Sequence, residues 1–243
     1  MKINVNILKD YINKVSMNGT VRMLDLRFLD TGLKTAVKNH SQTAMAIGFL
    51  PMETFEEYES IGELFIKNSL LFMTLLKTFS GVVNIALVGD SMLKISNSKR
   101  KTFMVLADEK ICDSLLEDKK PNIDYEISFK IKKEVLVRTL DDMKILDVQS
   151  AKFVKENNNV SIEIGASKVY DFITNDSVCD ELENIEEHYK VEVGVGNGFE
   201  DIVRPLSKEV VMKLANDKPI TFLDNTDEMQ VEFIVAPFGE TKD

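Results

Sequence analysis

Residues 24–37 read LDLRFLDTGLKTAV, and the alternation in this stretch decides the fold. Leu24, Leu26 and Phe28 fall on one side of an extended chain, Leu33, Thr35 and Val37 do so after it, and Asp30-Thr31-Gly32 supplies the turn of a β-hairpin. Just upstream the period changes. Ile7, Leu8, Tyr11, Ile12 and Val15 recur at the three- and four-residue spacing of one helix face. A helix followed by a hairpin is the unit to seek elsewhere in the chain.

It recurs three times. Leu71, Met73, Leu75, Leu76 and Phe79 form a second helix face, followed by Ile85, Leu87, the turn Gly89-Asp90-Ser91, Leu93 and Ile95. Val135, Leu136, Thr139, Leu140 and Met143 form a third, followed by Ala151, Phe153, a turn over 156–159, then Val160, Ile162 and Ile164. Leu206, Val210, Val211 and Leu214 form a fourth, followed by Ile220, Phe222, a turn over 224–227, then Met229, Val231, Phe233 and Val235. The spacing predicts helices over 7–16, 68–79, 132–145 and 207–216, with Asn6, Asn68 and Ser207 as caps, and further extended runs over 44–50, 102–106, 169–174 and 189–195.

With helices starting near 7, 69, 132 and 207, the first and third are 125 residues apart and the second and fourth 138. That reads as a duplicated domain of α+β class, four helix-plus-sheet units in all. Residues 107–124, ADEKICDSLLEDKKPNID, are charged, contain Pro121 and keep no period. The expected organisation is domain 1 over 1–106, a connector over 107–124 and domain 2 over 125–243.

Composition narrows the function. The chain has 243 residues, is 44% hydrophobic and can bury a sizeable core. Cys112 and Cys179 have no metal-ligand spacing and are too few for a disulfide framework, which fits a reducing compartment. The N-terminus alternates polar and apolar residues too early for a signal peptide, and the greasiest stretch, 64–88, is broken by Lys67, Asn68, Lys77, Ser80 and Asn84. A cytoplasmic location with no membrane contact is the expectation.

The formal charge of −10 by itself argues against a nucleic-acid partner. Its distribution argues otherwise. Each of the four expected helices nets +1, so they carry +4 inside an acidic chain. If symmetry brought those faces to one surface, they would attract phosphate within a Debye length of about 8 Å while the rest of the molecule repelled it. Lys9, Lys14, Lys77, Lys133, Arg138, Lys144, Lys208 and Lys213 are the candidate DNA-facing residues, with no base-reading or stacking set beside them.

Read in order, Leu24 to Leu33, then Asn39-His40-Ser41-Gln42-Thr43-Ala44-Met45-Ala46, then Phe55 and Tyr58, and finally Val231-Glu232-Phe233-Ile234-Val235-Ala236-Pro237 resemble the two-domain DNA sliding clamps of the proliferating cell nuclear antigen type, over nearly the whole chain. The resemblance implies a closed homotrimer with helices lining a central hole, a non-enzymatic processivity factor that encircles duplex DNA without reading its sequence. It implies a DNA polymerase and an ATP-dependent clamp loader as partners; no cofactor or metal is expected from the residues themselves. Subunits would join edge to edge, through Lys101, Thr102, Phe103, Met104 and Val105 on one side and, over about 167–174, Val169, Tyr170, Phe172 and Ile173 on the other. Partner peptide tails would enter an apolar pocket of Gln42, Thr43, Leu115, Leu116, Pro121, Ile123, Ile234, Ala236, Pro237 and Phe238. The connector is less acidic and less proline-rich than in relatives, and Phe238-Gly239 replaces their usual ending.

Two rival readings stand beside this one. Gly194-Val195-Gly196-Asn197-Gly198 follows an expected strand, as a dinucleotide fingerprint does, but its third glycine comes one residue early. Nothing resembles a P-loop, and His40 and His188 have no helical ligand spacing. The other rival is a clamp-fold subunit of a mixed ring, or a monomeric viral processivity factor.

Overall fold

The computed structural model describes residues 1–108, 120–156, 159–165, 173–175, 179–183, 191–196 and 198–237. The chain forms two compact units: Met1–His40 with Ala46–Lys119 and Asn225–Val231, and Ser41–Met45 with Lys120–Asp224 and Glu232–Asp243. Of the expected connector, residues 107–108 belong to the first unit and 120–124 to the second, while 109–119 lie outside the described residues.

The first unit runs β1 (Lys2–Asn4), α1 (Val5–Val15), β2 (Leu24–Leu29), β3 (Gly32–Lys38), β4 (Ala44–Pro51), β5 (Gly62–Ile66), α2 (Ser69–Leu76), β6 (Val82–Val88), β7 (Met92–Ser96) and β8 (Lys101–Val105). Its strands pair in the orders β1-β6-β7-β8 and β5-β2-β3-β4. The hairpin at 24–37 closes as expected, with Leu29 opposite Gly32 and φ +139° at that glycine. Asn4, rather than Asn6, caps α1, and Asn68 caps α2 by accepting from the Leu71 N–H at 3.0 Å.

Val5, Leu8, Tyr11, Ile12 and Val15 bury the inner face of α1, each worth about 1.5–3 kcal/mol of hydrophobic transfer. The helix comes down on β4 at Gly48, where an added Cβ would sit 2.4 Å from Val15 Cγ1 and 2.9 Å from Tyr11 Cε2. On α2 the buried apolar residues are Phe72, Met73 and Leu76, whereas Leu71, read as inward, is 47% exposed.

The second unit runs β9 (Ile127–Lys132), α3 (Lys133–Ile145), β10 (Ala151–Glu156), β11 (Asn159–Ile164), β12 (Ile173–Asn175), β13 (Cys179–Glu183), β14 (Val191–Val195), α4 (Phe199–Val203), β15 (Glu209–Leu214), β16 (Ile220–Asn225) and β17 (Gln230–Val235). The orders are β13-β9-β15-β16-β17 and β14-β10-β11-β12. Set against the first unit, β1 matches β9, β2–β4 match β10–β12, β5 matches β14 and β6–β8 match β15–β17. Even β13, paired to β9, has a vestige in the bridge between Lys2 and Glu57 beside β1. Helix contacts repeat as well, α1 packing on α2, β1 and β3, and α3 on α4, β9 and β11.

One element departs from the sequence reading. Residues 207–216 are not a helix; Glu209–Leu214 is strand β15, pairing β9 on one side and β16 on the other. Val210, Val211 and Leu214 fit a helix face, but Val210, Met212 and Leu214 fit a strand, and these last three are the fully buried ones. The fourth helix is Phe199–Val203, entered through Gly198 at φ +93°. Helix starts at 5 and 133, and at 69 and 199, give separations of 128 and 130, a closer repeat than the expected 125 and 138.

The glycine-rich 194–198 stretch thus leads from β14 into α4, but β14 pairs antiparallel with β10, so the parallel βαβ setting of a dinucleotide fingerprint is missing. Among the described residues, no helix is long and apolar enough to cross a membrane.

Candidate functional site

Three surfaces carry the candidate residues. On the helices, the charge expected from sequence does not hold. The charges of α1 are Lys9, Lys14 and Asp10, a net of +1; α2 contains none; Lys133, Arg138 and Lys144 in α3 are balanced by Glu134, Asp141 and Asp142; and α4 carries Glu200 and Asp201, a net of −2. The four helices therefore sum to −1 instead of +4. Lys208 precedes β15 and Lys213 lies within it, its ammonium 5.9 Å from the centre of the Tyr125 ring, so neither belongs to a helix face.

Individual side chains sharpen this. Lys14 is 1% exposed and lies 3.5 Å from Asp10, so it does not present a charge to solvent. Lys133 Nζ donates to the carbonyls of Arg204 (2.6 Å) and Leu206 (2.9 Å), at the C-terminal end of α4, where carbonyl partial charge favours a cation. Lys144 Nζ lies 3.2 Å from Glu200 Oε1, which also accepts from Arg204. Arg204 first and Lys144 second hold the Glu200 carboxyl below the usual carboxylate range. Lys9 is half-buried, while Lys77 and Arg138 are exposed.

The second surface is a sheet edge. Among the described strands β8 pairs only with β7, and it turns Phe103 (49% exposed) and Val105 (54% exposed) outward with Lys101, while Met104 points into the core and Thr102 is half-buried. Apolar side chains on an open edge are what a soluble protein avoids unless something covers them. In the second unit, β12 is the edge strand beside β11 among the described strands, with Ile173 half-buried. Val169, Tyr170 and Phe172 lie outside the described residues.

The third surface gathers at β17 in the second unit. Just past its end, the Ala236 N–H donates to the Thr43 carbonyl at 2.8 Å. Gln42, exposed and at φ +57°, precedes Thr43, whose hydroxyl lies 2.8 Å from that of Ser41. Lys120 Nζ reaches Glu232 on β17 at 2.7 Å, tying the segment with half-buried Pro121 and Ile123 to the same strand. Residues 42–43, 121–123 and 236–237, distant in sequence, are thus attached to one strand. Ile234 is 5% exposed, a core residue and not an open lining residue. Leu115, Leu116 and Phe238 lie outside the described residues.

Of the helix-layer cations outside the expected helices, Arg22 has no signal in the sequence, whereas Lys67 and Arg204 are legible there as lying just outside the second and fourth expected helices. Only the pairing of Arg22 with the start of α2, through the 2.8 Å hydrogen bond from the Ser69 N–H to its carbonyl, reveals the first of these.

A duplicated unit with two helices and two antiparallel sheets is the fold of the DNA sliding clamps. Solved structures of proliferating cell nuclear antigen (PCNA) share it over their whole length. Archaeoglobus fulgidus PCNA, in a structure with the C-terminal region of FEN-1 bound, superposes at TM-score 0.83 with 17% identity, covering 99% of this chain and 98% of that one. Thermococcus kodakaraensis PCNA gives 0.81 and 16%, covering 98% and 99%. A chain of the Sulfolobus tokodaii PCNA2–PCNA3 complex gives 0.77 and 16%, also covering 98% and 99%. By sequence, no protein-family model and no curated protein matches the chain.

Proposed function

We propose that this protein is a sliding DNA clamp, a processivity factor without enzymatic activity that closes into a homotrimeric ring around duplex DNA and tethers a DNA polymerase to it. The observation that carries the reading is the duplication. In the matching of the two units, β8 corresponds to β17 and β12 to β4. Within the second unit the end of β17 holds the stretch leading into β4 through Ala236 and Thr43, whereas β8 ends with Phe103 and Val105 exposed. The equivalent partner for β8 is β12 of another copy, and repeating that head-to-tail joint with closure gives a ring.

The surface at β17 supports a second part of the role. It would take the peptide tails of partner proteins, polymerase included, along Gln42, Thr43, Pro121, Ile123, Ala236 and Pro237. The structural relative from A. fulgidus is seen with such a C-terminal region bound. Ring opening would fall to an ATP-dependent loader.

Light scattering tests the assembly: three copies of the 27.5 kDa chain are expected, about 82 kDa, with negative-stain images showing a central opening. A 27.5 kDa species at tens of micromolar overturns the homotrimer, and a ring formed only with a second clamp-fold chain replaces it by a mixed ring; PCNA2 and PCNA3 of S. tokodaii are two different chains in one complex.

A further inference from the structure

The two units do not present equivalent helix layers. Counting each helix with two flanking residues on either side, the first unit has Lys9, Lys14, Lys67 and Lys77 against Asp10, a net of +3. The second has Lys132, Lys133, Arg138, Lys144 and Arg204 against Glu134, Asp141, Asp142, Asp147, Glu200 and Asp201, a net of −1. Partners widen the gap. In the first layer the lone carboxylate, Asp10, sits beside the buried ammonium of Lys14, leaving Lys9, Lys67 and Lys77 with no ion pair among the described residues. Arg22, exposed at the start of α2, adds a fourth such cation. In the second layer Glu200 engages both Lys144 and Arg204, and Lys133 is spent on two carbonyls. A shallow depression of about 510 Å³ on α3 is lined by Lys133 and Arg138 but equally by Glu134 and Asp141, around Val137.

We infer that duplex DNA is held chiefly by the first unit, through Lys9, Arg22, Lys67 and Lys77, while the helix layer of the second unit is close to electrostatically neutral toward phosphate. This rests on the clamp reading and refines it: a ring of six similar domains would touch DNA as three sites and not six. The physical reason is that a cation already paired to a carboxylate gains little by exchanging it for a phosphate, whereas an unpaired one releases condensed counterions from the DNA. Three contact sets leave the remaining arc free of specific attraction, so the duplex can tilt and slide.

The test uses the full chain and a fluorescein-labelled 30-base-pair duplex of mixed sequence, titrated by anisotropy at 20–200 mM salt. K67E/K77E is expected to weaken binding at least about tenfold and flatten the salt dependence by about two in slope per chain, whereas R138E/K144E, both within the second layer, should cost less than about threefold. Glu200→Gln should tighten binding about two- to threefold by releasing Lys144 and Arg204, with Glu53→Gln, exposed in the short turn after β4 and outside both counted layers, as the unchanged control. Thermal denaturation and light scattering check fold and assembly, and K67Q/K77Q serves if charge reversal disturbs either. Equal losses in the two pairs overturn this inference alone. Undiminished binding by K67E/K77E also overturns it. Absence of duplex binding by the unaltered protein overturns the inference, and the clamp reading falls with it only if light scattering also shows no ring.

Discussion

The two units repeat one topology, yet they place charge in opposite ways. Around α1 and α2, cations stand unpaired over a layer with one carboxylate, itself engaged by Lys14; around α3 and α4, the carboxylate of Glu200 bridges two cations at once. Their buried and half-buried acids differ in the same sense. Asp25, 2% exposed at the head of β2, is pushed above the usual carboxylate range by burial, partly offset by Arg27, whose Nε lies 2.6 Å away. Glu200, 46% exposed, is held below it by Arg204 and Lys144. Duplication therefore conserves backbone pairing and the alternation of buried side chains, because these build the core, and leaves the surface electrostatics of each copy free to diverge.

Strands β8 and β17 give the largest contrast to break. Phe233, fully buried in β17, should cost about 3–5 kcal/mol on truncation to alanine, read by urea denaturation. Phe103 in the equivalent strand should leave the fold of a single chain nearly untouched. F103D/V105D is instead expected to reduce the assembled mass to that of a monomer, and if both variants lose only stability, β8 is not an interface.

Gly48 comes next. Alanine there drives a methyl into Val15 and Tyr11, so Gly48→Ala should destabilise the first unit by about 1–3 kcal/mol while amide exchange in the second unit stays as before.

The smallest effects are those of pH, and their signs should be opposite. The depressed Glu200 contributes stability that is present above its unfolded-state pKa and lost as pH falls through the lower folded value; being half-exposed, its ion pairs are worth less than about 1 kcal/mol. The raised Asp25 costs stability at neutral pH, and that cost is relieved as pH falls through its folded-state value toward the model-peptide one. Hydrogen exchange at neutral pH and again near pH 4 should show the first unit gaining relative to the second, and Asp25→Asn should abolish the first unit's share of that difference.

How much of this was legible beforehand follows from how local each signal is. The hairpins over 24–37, 85–95, 151–164 and 220–235 were readable because alternation and turn residues lie within some fifteen positions of one another. Helix α4 was not, since five residues cannot display a period, and β15 was misread because Val210, Val211 and Leu214 satisfy a helix face as well as Val210, Met212 and Leu214 satisfy a strand. The exposure of Leu71 and the burial of Lys14 likewise have no local signature.

The amino-acid sequence by itself determined the α+β class, the duplication and most strand positions, since these depend on patterns of apolar residues close along the chain. Tertiary structure alone decided which lysines are available to a ligand. Lys144 finds Glu200 56 positions away and Lys133 finds carbonyls 71 and 73 positions away, and a formal charge count has no knowledge of such partners. Charge acts through distance in space, and only the folded chain fixes those distances.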